Sequence, residues 1–179
     1  MKIKFLEEGD VILRPIEKED KEFLQKLVLH PDVRNTIGKP PTPVNLKQEE
    51  EFIENLKEDE SKESFLIEYK GEKAGEISIG ALEKPYRKGE FGISIHPDHH
   101  GKGIGSTAVK LILKYSFETL NRHKVRGGYI EGNEPSRRIQ EKAGMQEEGR
   151  ERHYKYVDGQ WKDVIWMSIL ETEYFDERE

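Results

Sequence analysis

The chain has 179 residues, enough for one domain, residues 1–179, with a hydrophobic core that needs no covalent staples. It contains no cysteine, which excludes disulfides, thiolate metal sites and cysteine nucleophiles, and a cytoplasmic protein is the expectation. A formal charge of −6 with 37% charged residues lacks the basic face of a nucleic-acid binder and instead tolerates cationic substrates.

The opening residues, Met1 to Glu8, hold neither a long apolar region nor a small-residue cleavage site, and no stretch approaches the length of a bilayer span. No membrane partner is expected. Val11 to Ile16 reads as a first strand, and Asp20 to Leu29 as a helix with Phe23, Leu24, Leu27 and Val28 inward. A proline-rich loop, 37–44, precedes a second helix, Gln48 to Leu56, with Phe52, Ile53 and Leu56 on its apolar side. The acidic runs Glu49-Glu50-Glu51 and Glu58-Asp59-Glu60 read as solvated faces.

Phe65 to Tyr69 and Ala74 to Leu82 form a predicted hairpin about the turn Lys70-Gly71-Glu72-Lys73, and a further strand runs from Glu90 to Ile95. That strand delivers the chain to His99-His100-Gly101-Lys102-Gly103-Ile104-Gly105-Ser106. Three glycines in five residues let successive backbone N–H groups converge on one point, and the helix that begins here adds its positive end, so the loop suits a phosphate or pyrophosphate. A Walker loop is absent, and a dinucleotide fingerprint fails because Ala108 stands where its third glycine belongs. From Ile104 the apolar residues Ala108, Leu111, Ile112 and Tyr115 keep helical spacing. Val125 to Ile130 is a predicted strand and Glu134 to Lys142 a helix closed by Gly144. Tyr154 to Val157 and Val164 to Leu170 form a closing hairpin about Asp158-Gly159.

His96, His99 and His100 invite a metal site, but Pro97 prevents a helix that would bring His96 and His100 together, and no carboxylate or thiolate stands at a ligand spacing. No metal is expected. In the closing hairpin, half of Tyr154, Tyr156, Trp161 and Trp166 are expected in the core and the rest at an acceptor entrance.

The strand, glycine loop, long helix, strand and Asn-containing loop in this order resemble the GNAT superfamily of acetyl-CoA-dependent N-acetyltransferases. His100-Gly101-Lys102-Gly103-Ile104-Gly105 resembles the family's Gln/Arg-x-x-Gly-x-Gly/Ala loop, with His in the first position. Asn133-Glu134-Pro135-Ser136 and Glu141-Lys142-Ala143-Gly144-Met145 resemble its Asn-x-x-Ser and Glu-Lys-x-Gly-Phe segments. Leu13-Arg14-Pro15, Gly89-Glu90-Phe91-Gly92 and the tail from Asp158 to Val164 are similar to the RimJ/RimL-like branch, which includes protein N-terminal acetyltransferases, and to bacterial spermidine acetyltransferases. The resemblance implies an α/β (α+β) GNAT fold, with a mostly antiparallel central sheet splayed at the acetyl-CoA site and flanked by helices.

It also implies the site. Ile93, Ser94 and Ile95 would pair with the pantetheine arm, and the N–H groups of Gly101, Lys102, Gly103, Ile104 and Gly105 would take the pyrophosphate, with His100, Ser106 and Lys142 beside it and Asn133 orienting the pantetheine amide or capping the same turn. Glu90 is the expected base, acting directly or through water, and its alternative is an exposed strand-end carboxylate. Many family members carry a Tyr acid at the position of Gln140, so Ser136 is the expected proton donor to the thiolate or a coenzyme contact, with a helix cap as its structural alternative. Without cysteine, direct attack in a ternary complex is expected. The acceptor expected first is the α-amine of a protein or peptide N-terminus. A polyamine or antibiotic amine is the alternative, and a non-catalytic acyl-CoA-binding regulatory module the reading outside enzymes. The acyl donor and the assembly stay open, a homodimer among the possibilities.

Overall fold

The computed structural model describes residues 3–37, 42–82 and 84–176. Its strands are β1 (Leu6–Glu8), β2 (Val11–Pro15), β3 (Lys62–Tyr69), β4 (Glu72–Ala81), β5 (Lys88–Ile95), β6 (Lys124–Ile130), β7 (Gln146–Val157) and β8 (Gln160–Leu170). The helices are α1 (Lys21–Leu29), α2 (Pro31–Ile37), α3 (Leu46–Glu58), α4 (Ile104–Lys114), α5 (Glu134–Lys142) and α6 (Glu171–Asp176). The strands join in one sheet of order β1-β2-β3-β4-β5-β6-β8-β7, antiparallel throughout except for the parallel pair β5 and β6.

Side chains alternate across this sheet as strand geometry requires. Phe65 and Ile67 of β3 belong to the main core around α4, with Ile77, Phe91, Val125 and Ile165, while Leu66 between them joins Leu24 of α1 and Ile53 of α3 in a smaller core on the opposite face. Helix α4 buries Ala108, Val109, Leu111, Ile112 and Leu113 and runs on into a single π-helical stretch, Tyr115–Thr119. The layers therefore leave one region open, the face of β5, β6, β8 and β7 that α4 does not cover.

Several elements differ from the sequence expectation. The helix expected from Asp20 begins at Lys21, after a 3-10 turn at Lys18–Asp20, because Asp20 is consumed by a buried cluster. There Arg14 donates to both Asp20 oxygens at 2.8 and 2.9 Å and to Glu68 at 2.7 Å, and Lys73 reaches Asp20 at 2.8 Å. Burial works to raise the Asp20 pKa, but the hydrogen bonds from Arg14, Lys73 and the Glu17 N–H hold it well below the usual carboxylate range. Phe52, expected inward, is exposed beside buried Ile53. Helix α2 occupies the stretch before the proline-rich segment, of which residues 38–41 lie outside the described residues. Strand β7 starts eight residues before the expected Tyr154, through a polar stretch that shows no alternation because β7 is a sheet edge with solvent beside it. Among the described residues, no helix is long and apolar enough to cross a membrane.

Candidate active site

The parallel ladder between β5 and β6 runs from Lys88↔Lys124 to Phe91↔Gly127 and stops. Beyond it β5 stays paired with β4 as far as Gly75↔Ile95, and β6 stays paired with β8 as far as Ile130↔Val164, so the two central strands part. Side chains crowd β6 at the point of parting. A Cβ on Gly127 would lie 2.5 Å from the Phe91 ring, and one on Gly128 would lie 2.7 Å from Trp166, so β6 carries no side chains where large neighbours from two strands crowd it. The edge of β5 from Gly92 to Ile95 faces the resulting cleft without a strand partner, and a polar, extended chain can complete its backbone pairing there.

The cleft has a volume of about 720 Å³ and is lined by Glu90, Ile93, Ser94, Ile95, His100, Gly101, Gly103, Ile104, Gly105, Ser106, Asn133, Ser136 and Lys142. All but one of the residues singled out from the sequence thus meet in one place. The exception is Lys102, whose ammonium turns back to donate to the Asp98 carbonyl at 2.8 Å and does not line the cleft. Gly101 and Gly103 hold φ of 75° and 77°, a left-handed conformation that glycine adopts without strain, and Gly103 is the cap of α4, whose first-turn N–H groups point into the cleft end. His100, in the lining of the cleft, also holds the loop in place. Its Nε2–H donates to the Ile95 carbonyl at 2.9 Å and thereby fastens the loop to the end of β5.

On α5 the cap is Asn133 rather than Ser136, for the Asn133 side chain accepts from the Ser136 N–H at 3.2 Å. That frees the Ser136 hydroxyl. The buried Gln140 amide donates to Ser136 Oγ at 3.3 Å, so the oxygen is an acceptor on one side and its own proton is left to point elsewhere. Gln140 Oε1 is buried with no hydrogen-bond partner. One residue missed from sequence is Arg138, which lines the cleft one turn before Lys142, and the two cations have no ion-pair partner among the described residues. Their i,i+4 spacing behind the Asn133 cap was the available signal.

Glu90 stands at the last paired steps before the strands part, on the sheet face opposite α4. Its Oε2 accepts from Arg126 Nε at 2.8 Å and Nη2 at 2.7 Å, and the Arg126 guanidinium lies 4.2 Å over the Trp166 ring. Trp166 donates in turn to Glu151 at 3.1 Å and meets Tyr154 edge-on. None of Tyr154, Tyr156, Trp161 and Trp166 is core, contrary to expectation: the first three are exposed, and Tyr154 and Trp166 line the cleft. A bulge between Glu151 and Lys155, secured by the His153 N–H on Asp163 at 3.0 Å, turns Tyr154 and Lys155 inward. On the other side Val33, Thr36 and Ile37 of α2 complete the wall. Neither acidic run of α3 lines the cleft. The three clustered histidines diverge, His96 toward His30, His99 toward Tyr69 and His100 toward Ile95.

A parted parallel pair, a glycine loop at a helix start and a capped second helix are the geometry the sequence resemblance implies. Residues 10–146 match the acetyltransferase (GNAT) domain family. The chain belongs to the GNAT acetyltransferases. It is therefore an acetyl-CoA-dependent N-acetyltransferase. Among relatives, it is 30% identical to a spermidine N(1)-acetyltransferase of Escherichia coli over 93% of this chain and 89% of that protein. It is 36% identical to a putative ribosomal N-acetyltransferase of Bacillus subtilis over 62% of this chain and 60% of that one. The structure of a spermidine N-acetyltransferase from Vibrio cholerae in complex with CoA and spermine matches with a TM-score of 0.86 at 26% identity, over 93% of this chain and 98% of that one.

Proposed function

We propose that this GNAT enzyme, with residues 1–179 acting as one catalytic domain, acetylates a primary amine of an aliphatic polyamine such as spermidine. The observation that carries the reading is the placement of the Glu90 carboxylate at the point where β5 and β6 part, with the Trp166 and Tyr154 rings beside it. Carboxylate and aromatic faces are the groups that recognise alkylammonium ions. Two spermidine acetyltransferases among the relatives support the same reading over the protein N-terminus expected first from the sequence.

The open edge of Ile93 to Ile95 binds the extended arm of acetyl-CoA, the Gly101 to Gly105 N–H groups take its diphosphate, and Arg138 and Lys142 add charge at the rim. Acetyl-CoA supplies the acyl thioester. Most of the catalytic gain comes from holding amine and thioester in line. With a reference pKa near ~10.4, only roughly one alkylamine in two thousand five hundred is neutral at pH 7, so a proton must be removed, and Glu90 accepts it directly or through water. Ser136, its oxygen held by the Gln140 amide, donates a proton to the departing thiolate. The chain has no cysteine to carry an acyl group, and both substrates are bound together before transfer.

A peptide α-amine is the second reading, and the Arg126 ion pair that occupies Glu90 favours it. At a pKa near ~7.7 about one α-amine in six is neutral at pH 7 and needs little base. Glu90→Gln separates the two. With spermidine as acceptor, the substitution lowers kcat/KM about 100-fold, the scale of general-base catalysis, with KM for acetyl-CoA unchanged. A Glu90→Gln enzyme that acetylates spermidine at the wild-type rate overturns the assignment of the base.

A further inference from the structure

We propose that Arg126 is a built-in cation that fills the ammonium subsite of the acceptor channel and thereby sets acceptor selectivity. The inference rests on the amine reading of the cleft. Glu90 and Arg126 are direct cross-strand partners on the sheet face opposite α4, and the guanidinium contacts Glu90 Oε2 through two nitrogens while its carbon lies 4.2 Å from the centre of the Trp166 ring. An anion and a π face on either side of one cation are what an incoming ammonium would seek, and here the chain supplies its own.

The position makes this occupant a partition. Glu90 and Trp166 line the coenzyme cleft. Behind them lies a second cavity of about 430 Å³ whose wall includes Arg126, Trp166, Glu148 and Glu151. Arg126 thus stands between the point of acyl transfer and a space large enough for several methylene groups with an ammonium at their end. Of the other cations in its wall, Lys124 is neutralised by Glu148 at 2.6 Å and Arg150 by Glu131 at 2.7 Å, while Lys88 lies over the Tyr86 ring at 5.3 Å. Arg126 is only 37% exposed, and its one carboxylate partner among the described residues is the same Glu90 the acceptor needs. With Arg126 in place, an acceptor reaches Glu90 with one nitrogen. With the guanidinium gone, a second nitrogen of a polyamine can settle between Glu90 and Trp166.

The test compares wild type with Arg126→Ala and Arg126→Gln, the second keeping a hydrogen-bond donor of similar length without the charge. Initial rates are measured for spermidine and for butylamine, with KM for acetyl-CoA as the check that the cleft is intact. Both variants are expected to raise the ratio of kcat/KM for spermidine to that for butylamine about tenfold, through KM for spermidine, with butylamine reading whatever the loss of the ion pair does to Glu90 itself. An unchanged ratio, or an unchanged KM for spermidine, overturns the proposal and makes Arg126 a positioning residue for Glu90. Spermidine is also titrated into CoA-saturated Arg126→Ala while the Trp166 indole N–H resonance is followed. This arm needs no turnover: if the wild type acetylates no polyamine, the proposed function fails, while a Trp166 shift in the variant and none in wild type still supports the subsite. No shift in either overturns it.

Discussion

At Ser136 two neighbours decide what one hydroxyl can do: Asn133 takes the capping role and the Gln140 amide occupies the oxygen, leaving the proton free. Ser136→Ala is expected to lower kcat about 10- to 30-fold, roughly the 2 kcal/mol by which a thiolate of pKa ~8.5 lies from protonation at neutral pH, with little change in KM for acetyl-CoA; steady-state kinetics reads both. At Asp20 the buried pair with Arg14 governs stability instead. Asp20→Asn removes one of the two carboxylates that hold the buried guanidinium, leaving Glu68, and is expected to cost about 3 kcal/mol in urea unfolding. Because the folded state depresses the Asp20 pKa, its contribution is present above the unfolded value near ~3.9 and is lost as pH falls below it, so wild type should lose stability below about pH 4 and the Asn variant should lose less. That Glu90, Ser136 and Asn133 meet in one cleft was legible through the family resemblance of their segments, a strand and a helix start. Arg126 was not, since nothing within its own segment says that the register of a parallel pair sets it opposite Glu90. Nor does the sequence show that the Lys102 ammonium folds back on the Asp98 carbonyl of its own loop.

Among the elements, the start of α4 has the least freedom. Gly103 holds φ of 77° with open space where a Cβ would stand, so Gly103→Ala introduces strain without a clash. A left-handed non-glycine residue costs about 1–2 kcal/mol, and the variant should bind CoA up to about tenfold more weakly in calorimetry. Gly75 is the opposite case, a steric one. A Cβ there would meet the Ser94 carbonyl oxygen at 2.2 Å and force β4 from β5 beneath the cleft edge. Gly75→Ala is expected to lower the unfolding free energy by about 3 kcal/mol or more, visible as a reduced denaturation midpoint. Elements with strong periodicity, α4 and β3 to β6, could be read from sequence. Strand β1, helix α2 and the first eight residues of β7 could not, because their pattern is polar or short and their pairing comes from partners distant in the chain.

Over the whole molecule, the path from sequence to activity runs through one break in the sheet. The parallel ladder ends beside Phe91, Trp166 and the glycines of β6, and the open edge of β5 and the face beside it line the cleft proposed for cosubstrate and acceptor. A net charge of −6 favours the approach of a polycation, an attraction that salt screens, so KM for spermidine should rise between 50 and about 500 mM salt while KM for an uncharged peptide body changes less. The measurement that bears most directly on the account is CoA release from acetyl-CoA by the wild-type enzyme across spermidine, spermine, aminoglycosides and peptides beginning with Ser, Ala, Thr or Met. The account predicts turnover of spermidine with a kcat/KM at least tenfold above every peptide, whereas turnover confined to peptides with a free N-terminus, or none with any amine, would contradict it.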